Sequence, residues 1–210
     1  MGIKETVEHR YCGVEGIDNL YWIIEDKGAW SGPLEDWQQD KDMFMKHVKK
    51  FDYVVQAGGC CGMYPRFYAN YFKNVYTFEP DPNSYYCLEL NCQGDQYNTY
   101  NLALGDRQMT VKMNVQNKRN IGMHKIHDRA DGLDVKMIPL DKLNLPGCDL
   151  LHLDLEGYEE NALKGARDLI DKYEPVIITE KASGAKYLQE IGYEDAGFSL
   201  RMDSVFLKHK

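Results

Sequence analysis

The chain has no C-x2-C pair, no internal repeat, no low-complexity tract and no Pro/Gly/Ser-rich linker. The first absence argues against a zinc framework. It leaves six cysteines, with Cys60 and Cys61 adjacent and Cys87 and Cys92 four residues apart in between, as reduced thiols of a cytoplasmic protein. The other absences offer no place to divide 210 residues, enough for a core built without disulfides. Long apolar runs are missing too. The longest stretch without Asp, Glu, Lys or Arg runs from Tyr53 to Pro65 and contains Gln56, Gly58, Gly59 and Gly62, too short and too polar to span a bilayer. The first residues, MGIKETVEHR, hold no apolar h-region, so no signal peptide is expected. Positive charge is in deficit: 25 Lys and Arg against 33 Asp and Glu give a net charge of -8. With no Arg/Lys cluster interleaved with aromatics, nucleic acid is not an expected partner.

What is present is a rhythm. From Phe51 onward, short apolar runs alternate with longer amphipathic stretches, which predicts βα units and a parallel sheet. Strands are expected at Tyr53–Ala57, Val75–Glu79, Thr99–Leu104, Leu150–Leu155 and Val176–Thr179. Between the last two, Tyr158, Ala162, Leu163, Ala166, Leu169 and Ile170 recur on one helical face, and Pro175 ends that helix. Met109–Val115 alternates with period two and should pair with the strand entering Ile138. That leaves Gln116–Asp134 as a polar excursion of the kind that carries function. At the front, Pro33–Lys50 reads as a helix, with Glu35 and Asp36 in its first turn and Lys46, Lys49 and Lys50 in its last. With the aromatic cluster of Tyr21, Trp22 and Trp30 it forms an expected cap, residues 1–50, packed on a domain of residues 51–210.

The chemistry concentrates at strand ends. Tyr53-Val-Val-Gln-Ala-Gly-Gly-Cys-Cys-Gly62 runs from a first strand into a glycine-rich turn, the ligand crevice of an open α/β sheet. Its G-G-x-x-G spacing departs from the dinucleotide G-x-G-x-x-G, so a nucleoside without a pyrophosphate fits better. Glu79 ends the second strand about 20 residues after Gly58, where a carboxylate accepts both ribose hydroxyls. At the end of the fourth strand, in Leu151-His-Leu-Asp-Leu-Glu-Gly-Tyr-Glu159, His152, Asp154 and Glu156 share one face by period two. Charged groups there are costly to bury unless they bind something.

The runs AGGCCGMYP, VYTFEPDP, Asn91, LALGD, IPLDKL (Ile138 to Leu143), LHLDLEGYEENALKGA and Pro175-Val-Ile-Ile-Thr-Glu180, in that order, resemble the FkbM-type S-adenosylmethionine (SAM)-dependent methyltransferases. The resemblance covers roughly Phe51 to Glu180, and D-L-E-G-Y-E with the following L-K-G-A is its most specific part. It implies an α/β Rossmann-like class I methyltransferase sheet, seven-stranded and mostly parallel with helices on both faces, closed by a hairpin from Gly192 to Leu207. It also implies that the cofactor's methionine end lies over Gln56, Gly58, Gly59, Cys60 and Gly62. Glu79 and Pro80 take the ribose, Ala103 and Leu104 flank the adenine, and Asp154 lies beside the sulfonium. The chain departs from the family's pattern at Gln56, where Asp is usual, at Cys60, where Asn is usual, and at His152, where Lys is usual.

The implied reaction is in-line transfer of a methyl group, most simply to a hydroxyl on a small molecule or sugar. Asp154, Glu156 and His152 are the candidate bases, Asp154 first. No metal is expected, although Asp154 with Glu156 suits Mg²⁺ in chemistry and His124 with His127 has helical spacing. That histidine pair reads better as a contact in a substrate loop. Two further readings are compatible with parts of the pattern. A nicotinamide-dependent oxidoreductase shares the turn and the acidic residue but leaves D-L-E-G-Y-E unexplained, and a non-catalytic SAM-binding protein is allowed by the departures at Gln56 and Cys60.

Overall fold

The structure is a computed structural model. It describes all residues except 1–5, 15–16, 30–40, 116, 128–130, 201 and 210. Strands are numbered β1 to β13 in chain order. β1 (Val7–Val14) and β2 (Ile17–Ile23) form an antiparallel hairpin. The main sheet combines β3 (Tyr53–Ala57), β4 (Asn74–Phe78), β5 (Tyr97–Tyr100), β10 (Leu150–Leu153), β11 (Val176–Glu180), β12 (Tyr193–Leu200) and β13 (Asp203–Lys208), in the order β12-β13-β11-β10-β3-β4-β5. Six of these strands run one way and β13 opposes them, lying antiparallel to both neighbours. The sheet is therefore mixed, through one reversed strand in the expected C-terminal hairpin. A smaller sheet, β6-β9-β7-β8, joins β6 (Ala103–Leu104), β7 (Met109–Asn114), β8 (Lys125–His127) and β9 (Leu133–Ile138). The expected pairing of Met109–Val115 with the strand entering Ile138 is the β7–β9 ladder.

Period-two alternation decides which side chains face which layer. Val54, Val75, Leu150, Val176, Ile178 and Val205 face one side, where α1 (Met63–Tyr68), α2 (Pro82–Asn91) and the β1–β2 hairpin pack. Val55, Phe78, Leu151, Leu153, Ile177 and Phe206 face the other, under α3 (Glu159–Lys164), α4 (Arg167–Tyr173) and α5 (Ala185–Glu190). Each such aliphatic side chain withdrawn from water contributes roughly 1.5–3 kcal/mol, so the sheet is a rigid platform for its own strand ends.

Two expectations need correction, and a third is described only in part. The single strand over Thr99–Leu104 is two: β5 belongs to the main sheet and β6 to the smaller one. The Asn101 side chain between them donates to the carbonyls of Glu79 and Pro80 at 2.8 and 3.1 Å, ending the ladder. The single helix after β10 is also two. A Cβ on Gly165 would lie 1.9 Å from the Gly105 oxygen, so the chain crosses tightly there, and the Asp141 carboxylate starts α4 by accepting from the N–H groups of Asp168 and Leu169. Finally, the described part of the expected helical cap is mainly the β1–β2 hairpin. Only residues 41–45 of the expected Pro33–Lys50 helix are seen as helix; Trp30, Pro33, Glu35 and Asp36 lie outside the described residues, as does Trp37. The hairpin is docked by Asn91, whose amide donates to the Tyr21 carbonyl and accepts from the Tyr21 N–H, both at 2.8 Å, as a neighbouring strand would.

Candidate active site

The carboxyl ends of β3, β4, β10 and β11 open onto a cavity of about 320 Å³. Its floor is the turn after β3. Both Gly58 and Gly59 donate their N–H groups to the Phe78 carbonyl, at 3.1 and 2.9 Å, which folds the turn over the end of β4. Gly58 has φ +85, and a Cβ there would lie 2.0 Å from the Asp154 carbonyl, so glycine is what lets β3 and β10 end side by side. Cys60, at φ +46, aims its N–H at Glu79 Oε2, 2.8 Å away, and Asp81 N–H donates to Glu79 Oε1 at 2.7 Å. Burial, with the nearby Asp81 charge, pushes the Glu79 carboxyl up to about 7 against these two donors.

A second wall is acidic. Parallel register pairs Leu153 with Thr179, so Asp154 and Glu180 emerge side by side, and Asp203 pairs with Glu180 across the next ladder. Carboxylate oxygens of Asp154, Glu156 and Glu180 lie within 4.8 Å of one another. Burial, then the charges of Asp203, Glu180, Glu156 and Glu159, hold the Asp154 carboxyl well above the ordinary carboxylate range. Burial and Glu180 push Glu156 in the same direction, opposed by Lys181. The turn that carries Asp154 and Glu156 is fixed from behind by Glu159, whose Oε1 accepts from the N–H groups of Leu155 and Gly157 at 2.8 and 3.3 Å. A wall of this kind suits a cation, whether an organic ammonium or sulfonium or a divalent metal.

Of the residues singled out from the sequence, Gly58, Gly59, Cys60, Glu79, Pro80, Ala103, Leu104, Asp154 and Glu156 line this one cavity. Gln56, Gly62 and His152 do not. Gln56 is fully buried: its amide donates to the carbonyls of Ala57 and Gly58, at 3.2 and 3.0 Å, and accepts from the Thr77 hydroxyl at 2.9 Å. Gly62 starts α1 at φ +94, against Asn91 and Cys92. His152 shares its strand face with Asp154 but lies two residues deeper, fully buried, with Nδ1 3.0 Å from the Tyr68 hydroxyl. Burial lowers its pKa to about 3, so the imidazole stays neutral.

Sequence reasoning passed over Glu180 and Asp203, which complete the acidic wall; the signal available was a charged residue ending an otherwise apolar β11. It also left open how Gln116–Asp134 folds. Ile121–Met123 forms a single 3₁₀ turn and Lys125–His127 is β8, so His124 and His127 do not share a helix face. His124 lines the cavity with Ile121, Gly122 and Met123, and Trp22 of β2 lines it too.

A seven-stranded sheet with one reversed strand and a cavity at its carboxyl ends makes this a methyltransferase-like α/β protein. Residues 59–201 match the Methyltransferase FkbM domain, and the chain belongs to that family. The crystal structure of methyltransferase FkbM from Methylobacillus flagellatus KT is similar at a TM-score of 0.54 and 16% identity, covering 75% of this chain and 43% of that one. This chain thus spans less than half the length of that protein. Precorrin 8W decarboxylase from Methanobacterium thermoautotrophicum is similar at a TM-score of 0.50 and 15% identity, covering 81% of this chain and 90% of that one. At these identities the likeness is one of fold. No curated protein matches the chain.

Proposed function

We propose that the protein uses SAM to methylate a hydroxyl on a small molecule or sugar. The observation that carries this reading is the Glu79 carboxylate, held on the cavity wall by two backbone N–H groups beside a turn with no Cβ at Gly58 or Gly59. Each of its oxygens keeps a lone pair for a ribose hydroxyl, and Pro80 follows it along the rim. Ala103 and Leu104 offer flat apolar contact to an adenine. The glycine turn and Cys60 receive the methionine end, and the acidic wall complements the cofactor's ammonium and sulfonium.

SAM supplies an activated methyl group; the chain's own residues hold it and the acceptor in line and receive a proton. Asp154, at the end of β10 and nearest the glycine turn, is the base in this reading. Glu156 stands beside it as the second carboxylate. His152, neutral and outside the cavity, serves as a buried partner of Tyr68, and Gln56 as a brace for the turn. Trp22, Met63, Tyr64 and Ile121 form an apolar wall for the body of the acceptor, while Glu180 and Asp203 disfavour an anionic one.

The test is calorimetric titration with S-adenosylhomocysteine (SAH) and, separately, NAD, on wild type and Glu79→Ala. SAH binding that is lost in the variant supports the assignment. NAD binding without SAH binding would overturn it in favour of an oxidoreductase, and SAH binding with no turnover on any hydroxylated acceptor would make this a non-catalytic binding protein.

A further inference from the structure

The segment from Asn117 to His127 contributes Asn120 to Ile126 to the lining of the cavity, and its attachment is specific. Asp26, fully buried, accepts from the Ile121 N–H at 3.0 Å, and the Arg119 carbonyl accepts from the N–H groups of Lys27 and Gly28, both at 2.9 Å. These bonds tie the segment to the chain that leaves β2. His124 reaches the other way, to the turn that carries Glu79. Its Nδ1 lies 2.9 Å from Asp81 Oδ2 and its Nε2 lies 3.2 Å from the Asn117 carbonyl oxygen. The two side chains are 7% and 4% exposed.

Both partners of the ring are acceptors. A backbone carbonyl has no proton to give, and the Asp81 carboxylate already accepts from the Asn83 N–H through Oδ1. A neutral imidazole carries one N–H and can satisfy only one of them. We propose that His124 is a doubly protonated positioning residue that clasps the Asn117–His127 wall onto the Asp81 turn and so holds the nucleoside end of the cavity closed. Asp81 in turn donates its N–H to Glu79, so the clasp and the ribose carboxylate share one turn.

The surrounding charges agree with this state. Burial works to lower the His124 pKa, but the hydrogen bond and charge of Asp81, the Asn117 carbonyl and Glu79 outweigh it and leave the pKa above the ordinary 6.5. Asp81 faces the ring from the start of α2 and Glu79 from the end of β4. The neighbouring cation Lys125 acts on Glu156, farther along the cavity. When pH rises through the His124 pKa, one of the two bonds is lost and the closed wall becomes a smaller fraction of the population, which lowers apparent affinity in proportion.

The affinity arm of the test rests on the function proposed above, so a second arm does not use the cofactor at all. In ligand-free protein with ¹⁵N-labelled histidine, the His124 signals, assigned by their loss in His124→Gln, should show two protonated nitrogens at pH 6.5 and a pKa above that value. Neutral-tautomer shifts or a pKa at or below 6.5 overturns the clasp. In the second arm, SAH titrations at pH 6 and pH 9 should show wild type binding about ten-fold tighter than His124→Gln at pH 6, with the gap closing at pH 9, and His124→Arg close to wild type at both. A gap that stays constant with pH, or no rescue by arginine, marks a merely structural histidine. If no form binds SAH, the cofactor assignment falls and the nitrogen shifts alone decide the clasp.

Discussion

The backbone N–H of Cys60, in the turn that leads from β3 into α1, lies 2.8 Å from Oε2 of Glu79 at the end of the neighbouring strand β4. Since Asp81 N–H occupies Oε1 at 2.7 Å, both carboxylate oxygens are needed to hold the turn. Glutamine has the right size but only one acceptor; its NH2 group would face a second donor. Glu79→Gln should therefore weaken SAH binding by about ten-fold or more, through one lost bond near a charged group and one donor left facing another. Calorimetry measures this, and an unchanged Kd would mean that the carboxylate takes no part in holding either the turn or the ribose.

Gly58→Ala tests the turn without touching a charge. The new Cβ would lie 2.0 Å from the Asp154 carbonyl, on a residue whose φ of +85 already disfavours a side chain. Backbone lies on both sides of the contact, so the clash is relieved only by moving the ends of β3 and β10 apart. The variant should lose more than about 2 kcal/mol of stability and bind no SAH. A melting temperature equal to that of wild type would refute the tight approach of the two strands.

The parallel strands and the residues at their ends were legible in the sequence because two local rules agree there: a short continuous apolar run, and a break in it made by glycine, glutamate or aspartate. Tyr53–Ala57 and the turn at Gly58 are such a case. Where the deciding partner is distant in sequence, the reading failed. Nothing near Ala166 announces that Asp141 will start a new helix, and nothing near Tyr21 announces that Asn91 will stand in for a strand. The same limit bears on Gln56, which the family resemblance puts beside the cofactor, whereas Thr77 on the neighbouring strand and two carbonyls of its own turn hold it inside.

Asp154 should bind a proton in the unliganded protein and release it when a cation arrives. Its carboxyl is held well above the ordinary range by burial and by Asp203, Glu180, Glu156 and Glu159, and a neighbouring positive charge reverses that. Titrations in buffers of different ionisation enthalpy should show more proton release with SAM than with SAH, which lacks the sulfonium, and Asp154→Asn should remove the difference. As the base, Asp154→Ala should lower turnover by about 10²- to 10⁴-fold with a far smaller change in SAH affinity; equal losses in both would remove it from that role. Turnover should be unchanged by EDTA, and its loss would assign Asp154, Glu156 and Glu180 to a metal instead.

His152 makes the acid side of the stability curve its own test. Its pKa is near 3 in the folded chain, lowered by burial, and about 6.5 when unfolded. Between those values the unfolded state binds the proton and the native state does not, so stability is complete above pH 6.5 and is lost as pH falls toward 3, by an amount on the order of 4 kcal/mol. His152→Leu gives up the hydrogen bond with the Tyr68 hydroxyl, a cost of roughly 1–3 kcal/mol that does not depend on pH. Denaturant titrations of the two proteins should thus converge as pH is lowered from 7 to 4, with the variant less stable at neutral pH and losing less in acid. Parallel curves would mean that the imidazole is hydrated or charged in the native state, against its burial between β10 and α1.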